Sequence, residues 1–230
     1  LFCILTYMYK KEIFRNLDKK YNSHLYSGLL GVLMNYCHKK LENFKKKNSY
    51  DKILEIGAGS APHLKYLTHP FNEYHIAETS DYASEIFDKS LNDKIKFKKY
   101  DGKNLPYENE YFDRIIISHC LEHILSPEEF IIEMMTKLKK GGVLSISLPT
   151  DPGIAWRFGR LLIRIFSIKK TYNITGEEYE YINATEHVNS IFNLISIIRY
   201  HYKDSIDEQY YPLKIKSPDL NLFYNVQIYK

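Results

Sequence analysis

Short apolar runs alternate along the chain with longer segments whose apolar residues recur at helical spacing. Short apolar runs bounded by turn residues are typical of strands, and apolar residues at i, i+3, i+4 and i+7 are typical of helices. The pattern predicts strands around Ile53-Leu54, Tyr74–Ala77, Lys94–Tyr100, Arg114–Ser118, Val143–Leu148, Ser205–Ile215 and Leu222–Ile228. It predicts helices over 22–44, after Pro62, and over Thr79–Ser90, Ser126–Lys140, Ile154–Ile168 and Glu186–Tyr202. Because strands and helices alternate at these lengths, we expect an α/β fold with a doubly wound, mostly parallel sheet.

The helix expected to follow Ser126 carries recognisable signals at both ends. Ser126 to Glu129 has the composition of a capping box with proline at the first helical position. Lys139 to Gly142 places two basic residues and two glycines at the other end, which favours a glycine-capped helix terminus there.

A glycine turn stands between the first predicted strand and the following helix. Gly57-Ala58-Gly59 allows the unusual dihedral angles and the close backbone approach that a nucleotide-type site needs. A dinucleotide fingerprint, G-x-G-x-x-G, requires a glycine where Pro62 stands. Glu55 precedes the turn, and a carboxylate there suits a ligand with a cationic amino group better than a pyrophosphate.

The E-x-G-x-G pattern of Glu55 to Gly59 resembles the first motif of the class I S-adenosylmethionine-dependent methyltransferases, with Ala61 where a third glycine often stands. A second stretch, LPYENEYFDRIIISHCLEHI over 105–124, is very similar to the fourth-motif region of the small-molecule members. The resemblance implies S-adenosylmethionine as cofactor and a Rossmann-like, seven-stranded sheet whose last strand inserts antiparallel. The Asn/Asp-Pro-Pro-aromatic tetrad of many base and amide methylases is absent, since Ser118 to Leu121 stand there. Methylation of nucleic-acid amino groups is therefore a minor option.

The remaining predicted cofactor residues follow the second, third and fourth strands. Glu78 lies 21 residues after Gly57. This is close to the spacing of about 20 residues at which the acid of a Rossmann-type fold binds the ribose hydroxyls. The resemblance implies that Asp101 bonds the adenine amino group while Gly102 admits the ring, although Asp-Gly also favours a simple turn. The predicted cofactor-binding residues are Glu55, Gly57, Ala58, Gly59, Glu78, Thr79, Asp101, Gly102, Ser118 and His119.

Two segments lie outside the simple alternation. Residues 1–49 are predicted to form an N-terminal helical segment, and the resemblance implies that it covers the site, where Tyr21, His24 and Tyr26 would line it or merely pack on the surface. Residues 50–230 are predicted to form the methyltransferase domain, with a helical, substrate-side insertion over 149–185 after the fifth strand.

The insertion carries an arginine stripe. Arg157, Arg160 and Arg164 share one helix face and could bind a phosphate or carboxylate on the substrate. Such a stripe is more often the solvated side of a helix, and Glu177, Glu178 and Glu180 lie near enough in sequence to neutralise it. The predicted substrate-binding residues are Arg157, Arg160 and Tyr26.

Methyl transfer from a sulfonium needs alignment of donor and nucleophile, and a hydroxyl nucleophile also profits from a base. His119 and His123 follow the fourth strand, where the methyl should point, and His187 lies beyond the insertion. These three histidines are the predicted catalytic residues, because each could take a proton near neutral pH. Glu122 is a further candidate, and an amine nucleophile would need none of them.

Composition narrows the class of protein further. The chain has 230 residues, 44% of them hydrophobic and 26% charged, with a net charge of +4 from scattered Lys and Arg. We therefore expect a soluble domain with no dedicated nucleic-acid partner. The three cysteines lie far apart, which predicts neither disulfide nor metal site and suits a reducing, cytoplasmic compartment. The opening apolar run, LFCILTYMY, is too short to span a bilayer, so no transmembrane segment is expected.

The sequence thus predicts S-adenosylmethionine-dependent methyl transfer to an oxygen or nitrogen of a small, polar and possibly anionic acceptor. The stretches DPGIAWRFGR and EHVNS resemble those of bacterial methyltransferases associated with surface-polysaccharide synthesis, which suggests a glycan precursor. Two alternatives remain open. One is a nicotinamide-dependent oxidoreductase, for which Pro62 is unfavourable, and the other is a module that binds the cofactor without transferring its methyl group.

Overall fold

The strands of this chain form one mixed sheet. The computed structural model describes residue 26 and residues 28–44, 49–59, 61–79, 93–166 and 175–230. Within these residues the strands are β1 (Tyr50–Ile56), β2 (Phe71–Glu78), β3 (Ile95–Lys99), β4 (Phe112–Ser118), β5 (Leu138–Pro149), β6 (Ile206–Tyr211) and β7 (Phe223–Tyr229). Their order is β3-β2-β1-β4-β5-β7-β6, and β7 runs antiparallel to both β5 and β6. The predicted seven-stranded, mostly parallel sheet with an antiparallel last strand is confirmed.

Helices cover both faces of this sheet. In the described residues they are α1 (Gly28–Leu41), α2 (Pro127–Lys137), α3 (Ile154–Phe166), α4 (Gly176–Glu186) and α5 (Ile191–Tyr202). On one face Leu54 of β1 shares a core with Ile131 of α2 and Ile198 of α5. On the other face Ile53 of β1 packs in a second core with Leu41 of α1. None of the helices among the described residues is long and apolar enough to cross a membrane.

The helix predicted after the glycine turn is reduced to one 3₁₀ turn, Leu64–Tyr66. Because β2 already begins at Phe71, the connection over 57–70 is too short for a glycine loop and a full helix. The helix predicted over Thr79–Ser90 lies outside the described residues from position 80 onward, as do Tyr21 and His24.

The predicted start of α2 is confirmed in position, since Ser126 is the N-cap and Pro127 the first helical residue, but the capping box and the glycine-capped end are wrong. The side chain of Ser126 makes no capping hydrogen bond, and the helix ends at Lys137 because Leu138 is already extended and pairs with Phe112 of β4. Residues 139–142 therefore belong to β5 instead of a glycine-capped helix end.

Hydrogen-bonded caps occur instead at α4 and α5. Thr175 and Glu178 form a reciprocal capping box at the start of α4. Helix α5 begins at Ile191 with Ser190 as its cap, so the predicted start at Glu186 is wrong. Glu186 is instead the last residue of α4.

A buried ion pair ties the end of α1 to the middle of the sheet. Arg114 of β4 is 1% exposed and lies 2.7 Å (Nη2 to Oε1) from Glu42, which follows α1. Its other nitrogens donate to Ser145 Oγ at 2.9 Å and His69 Nε2 at 2.8 Å. His63 Nε2 lies 3.1 Å from the same Glu42 oxygen. The charge of Arg114 is therefore matched by a carboxylate and by two neutral acceptors, as a buried guanidinium requires.

Candidate functional site

The carboxyl ends of β1 to β4 lie side by side at one edge of the sheet. These four strands are parallel, so the segments that follow them meet there. Gly57 follows β1, Thr79 follows β2, Asp101 lies two residues after β3, and His119 follows β4. The topology thus brings the predicted cofactor residues to the edge at which open α/β sheets bind their ligands.

The glycine loop adopts the backbone that its sequence predicts. Gly57 and Gly59 have φ angles of 65° and 54°, in the left-handed region that favours glycine. A Cβ on Gly57 would stand 2.5 Å from Sγ of Cys120, so a side chain at this position would also collide with the segment after β4. Ala61, where the resembled family often has a third glycine, has φ 50°. Ala61 therefore adopts the left-handed backbone conformation that a glycine would favour at this position.

The side chain of Glu78 is hydrogen-bonded directly to this loop. Its Oε2 accepts the Gly59 N–H at 2.9 Å, and its Oε1 accepts the Thr79 N–H at 2.6 Å. Glu55 pairs in register with Ile76, two residues before Glu78, so both acids point to the same face of the sheet. The two carboxylates thus flank the glycine loop from one side.

Glu55 lies in β1, two residues before Gly57, and is 1% exposed. Its Oε2 accepts a hydrogen bond from the hydroxyl of Tyr74 at 2.6 Å. Burial raises the pKa of Glu55 to about 8, because the hydrogen bond from Tyr74 offsets only part of the desolvation. In this arrangement the carboxyl group of Glu55 is hydrogen-bonded within the protein.

Asp101 and Gly102 form a tight turn after β3. Oδ1 of the exposed Asp101 accepts the N–H groups of Asn104 and Lys103, and these bonds lower the pKa of its carboxyl. Gly102 has φ 80°, and a Cβ there would stand 3.4 Å from the methyl of Thr79. The turn thus places Asp101 beside the end of β2, with its carboxylate engaged by its own loop.

Ser118 and His119 end β4 against helix α1. Ser118 Oγ lies 3.4 Å from Nδ1 of His38, and His119 Nε2 lies 3.3 Å from Sγ of Cys37. Burial lowers the pKa of His119 to about 3, so this ring is neutral near neutral pH. His119 also has φ 52°, an uncommon conformation for a non-glycine residue.

Tyr26 reaches the same edge of the sheet. Its hydroxyl lies 2.8 Å from Nε2 of His38, and the two rings are stacked. His38 in turn lies 3.2 Å (Nδ1 to Nδ1) from His63. Tyr26 is therefore connected to β4 through His38, in agreement with a place beside the site.

Cys37 and His38 were not predicted as site residues from the sequence. The available signal was their position on a buried helical stripe, shared with Met34 and Leu41 at i, i+3, i+4 and i+7. That spacing predicts burial of α1, but it does not indicate which strand end the stripe meets.

His123 and His187 come together although 63 residues separate them in sequence. Their ring centroids lie 5.1 Å apart in an edge-to-face arrangement. His123 donates from Nδ1 to the carbonyl oxygen of Glu186 at 2.8 Å. His187 Nδ1 lies 2.7 Å from Oδ2 of Asp151. Two of the three predicted catalytic histidines thus share one small region at the carboxyl edge.

The arginine stripe of α3 is only partly solvated. Arg160 is 19% exposed and pairs with Glu180 at 2.8 Å and with Asp151 at 3.3 Å. Arg164 lies 3.8 Å from the same Glu180, as the nearby acids predicted, and Arg157 is exposed. Several apolar residues of this helix are also exposed, namely Ile154, Phe158, Leu161, Leu162 and Ile165.

Comparison with known proteins bears on this site. Residues 54–146 match a family model described as "Methyltransferase domain". The demethylmenaquinone methyltransferase of Clavibacter sepedonicus is 24% identical over 141 residues, which cover 59% of this chain and 58% of that protein. The ubiquinone/menaquinone biosynthesis C-methyltransferase UbiE of Stutzerimonas stutzeri is 26% identical over 153 residues, covering 61% and 59%. The chain thus spans less than two thirds of the length of these curated relatives.

Solved structures share the architecture. An S-adenosylmethionine-dependent methyltransferase of Thermotoga maritima, described as a possible histamine N-methyltransferase, superposes with a TM-score of 0.63 at 17% identity, covering 95% of this chain and 99% of that one. The plantazolicin methyltransferase BpumL, in complex with a triazolic desmethylPZN analog and SAH, superposes with a TM-score of 0.66 at 17% identity, covering 96% and 93%. The chain therefore has the Rossmann-like fold of S-adenosylmethionine-dependent methyltransferases, and residues 54–146 match the methyltransferase domain.

Proposed function

We propose that this protein transfers a methyl group from S-adenosylmethionine to a small polar acceptor. The observation that carries the proposal is the bond between the glycine loop and Glu78, at the edge where the four parallel strands end. A left-handed Gly57–Gly59 turn leaves room for a ligand backbone or sugar to approach closely. The acid beside it supplies the acceptor that a ribose diol needs.

In this proposal the cofactor lies across the ends of β1 to β4. The loop of Gly57, Ala58 and Gly59, together with Glu55 at the end of β1, would hold its aminoacyl part. Glu78 and Thr79 would take the ribose at the end of β2. The adenine would lie on the far side of that sugar. The residues expected there are Asp101 and Gly102, while Ser118 and His119 would contact the cofactor at the end of β4.

The acceptor would lie beyond the methyl group, at the histidines of the site. His123 has its Nδ1–H engaged by a carbonyl oxygen, so the neutral ring presents Nε2 as a base. His187 and the neutral His119 are the alternative bases. Tyr26 and Arg157 would contact the acceptor. Arg160 already pairs with Asp151 and Glu180. It would hold the insertion in place and affect the acceptor only indirectly.

Two acceptor classes follow from different observations. A glycan precursor follows from the DPGIAWRFGR and EHVNS stretches. An aromatic acceptor with an apolar tail is suggested by the relatives named as demethylmenaquinone methyltransferases and by the exposed apolar residues of α3. Both classes are tested in one assay that incubates the protein with S-adenosylmethionine and measures S-adenosylhomocysteine. Sugar nucleotides and short-chain quinol analogues are supplied in turn.

The outcomes of this assay separate the functions. Product with either acceptor class supports methyl transfer and identifies the class. Calorimetric binding of S-adenosylmethionine without product from any acceptor would favour the non-catalytic module. If the protein instead binds NADH and not S-adenosylmethionine, the oxidoreductase alternative replaces the proposal.

We expect Glu78→Gln to weaken the binding of S-adenosylmethionine by about 10- to 100-fold, because a charged acceptor of two hydroxyl hydrogen bonds is lost. Isothermal titration calorimetry measures this directly. The matched control is Glu73→Gln, on the same strand at the opposite edge, where the carboxylate pairs with Lys96 and His75. Equal affinities of wild type and Glu78→Gln would contradict the ribose assignment.

A further inference from the structure

A second group of side chains at this edge has the composition of a metal site. The ligand atoms of Glu122, His123 and His187 all lie within 4.8 Å of one another. Glu122 Oε1 is 3.9 Å from His123 Nε2. An ion with bonds of about 2.0–2.2 Å holds neighbouring ligand atoms roughly 3–3.5 Å apart, so these two atoms would shift by only about half an ångström.

Both imidazole rings are oriented by partners outside the cluster. The carbonyl oxygen of Glu186 can only accept, so Nδ1 of His123 carries the proton. Asp151 holds Nδ1 of His187 in the same way, and the hydrogen bond from His187 together with the charge of Arg160 outweighs burial and lowers the pKa of the Asp151 carboxyl. In the neutral rings each Nε2 therefore carries a lone pair. Metal-binding histidines have the same outer bonds to carbonyl or carboxylate groups.

The surroundings of Glu122 are an independent observation in favour of a cation site. It is 3% exposed, and its Oε2 is buried without a hydrogen-bond partner. A buried carboxylate oxygen without a donor is costly, because water is lost and nothing replaces it. Its other oxygen lies 3.9 Å from Nε2 of His123 and 4.0 Å from Nδ1 of His119, which is beyond hydrogen-bond distance.

The backbone around the cluster is fixed by Asn189. Its side-chain amide donates to the carbonyl oxygen of Ile124 at 2.5 Å, and its N–H donates to that of Glu122 at 3.1 Å. These bonds tie the turn after β4 to the segment between α4 and α5. The three ligand side chains are thereby held on two short, mutually bonded segments, as a preorganised metal site requires.

We propose that Glu122, His123 and His187 bind a divalent first-row transition metal ion such as Zn²⁺. Two imidazole nitrogens and one carboxylate suit such ions, whereas Mg²⁺ and Ca²⁺ prefer oxygen ligands alone. Three protein ligands leave coordination positions open, and the His123 side chain is 37% exposed, so solvent reaches the site. Since Cys120 contacts the position of Gly57, the ion would lie close to the cofactor loop. If the proposed function holds, an oxygen of the acceptor would be a natural further ligand, and His123 and His187 would then act as metal ligands instead of bases.

The test uses the metal alone. Protein treated with EDTA and dialysed is titrated with Co²⁺ while the visible absorption of the bound ion is recorded, and Zn²⁺ is then added in competition. We expect one Co²⁺ per chain, displaced by one equivalent of Zn²⁺. Glu122→Gln keeps the shape of the side chain and should weaken binding by about 10- to 100-fold or more.

His201→Ala is the matched control. His201 also pairs with a glutamate, Glu128, but lies on α5 outside the cluster, so its loss should leave Co²⁺ binding unchanged. Thermal unfolding of each variant shows that it is folded. The proposal is overturned if no stoichiometric Co²⁺ signal appears, or if wild type and Glu122→Gln bind the ion equally well.

Failure of this proposal is distinguishable from failure of the proposed function. S-adenosylmethionine binding is measured by calorimetry on the same metal-free protein, before any Co²⁺ is added. Cofactor binding without Co²⁺ binding would reject the metal site alone. Co²⁺ binding without cofactor binding would reject the proposed function alone.

Discussion

Gly57→Ala is expected to abolish measurable binding of S-adenosylmethionine and to lower the free energy of unfolding by about 2–4 kcal/mol. Two costs add at this position. An alanine must adopt φ 65°, and its Cβ would stand 2.5 Å from Sγ and 2.9 Å from Cβ of Cys120. Relief of that contact would move the loop away from the end of β4 and displace Gly59 from Glu78. Urea denaturation measures the stability, and calorimetry measures the binding.

Gly159→Ala provides the control for a glycine without these constraints. Gly159 lies within α3, and a Cβ there would meet no atom within 4 Å. The substitution should therefore stabilise the protein by about 0.5–1 kcal/mol, because alanine loses less backbone entropy in a helix. A Gly57→Ala protein that binds the cofactor as well as Gly159→Ala does would show that the loop does not hold the ligand.

The order of elements was predictable because each strand carries its own local signal. Apolar runs such as Ile115–Ile117 are buried on both faces, and the glycine turn after β1 marks the binding edge of a parallel sheet. The position of Glu78 beside the loop followed from its distance to Gly57 along the chain. These features depend on residues that are close in sequence, or on rules that apply to the whole fold class.

What the sequence did not predict depends on packing between distant segments. The arginines of α3 were expected to bind an anion or face solvent. Arg157 and Arg164 are exposed, but Asp151 and Glu180 draw Arg160 inward, and apolar residues of the same helix are exposed as well. The contact between His123 and His187 is likewise set by the fold, since no spacing rule relates residues so far apart. For the same reason the wide spacing of the three cysteines predicted no metal site, whereas the proposed ligands are a glutamate and two histidines.

End signals of helices failed where the sheet competed with them. Gly141 and Gly142 resemble a helix cap, but Leu138 pairs with Phe112, so β5 begins there and includes residues 139–142. The hydrogen bonds of a seven-stranded sheet outweigh the small free energy of a glycine cap. Local chemistry therefore predicted which elements exist better than where they begin and end.

Arg114→Met should destabilise the protein by about 3–5 kcal/mol at pH 7, because it leaves the carboxylate of Glu42 buried beside His63 without its main countercharge. Burial alone would raise the pKa of Glu42. The hydrogen bond from His63 and the charge of Arg114 outweigh burial and hold this pKa well below its usual range. A carboxyl group with a depressed pKa in the folded protein contributes stability above its unfolded pKa of about 4.5, and this contribution is lost as the pH falls. The difference between wild type and variant in urea denaturation should therefore narrow below about pH 4.5.

The double variant Glu42→Leu/Arg114→Met separates the ion pair from general damage to the core. Replacing both partners with apolar side chains removes the uncompensated charge, so the double variant should be more stable than Arg114→Met alone. Strictly additive losses would mean that the two side chains act independently despite their 2.7 Å separation. Recovery in the double variant would instead show that the stability comes from matching the two charges. The link between α1 and β4 would then be an electrostatic one, on which the placement of His38 and Cys37 at the candidate site depends.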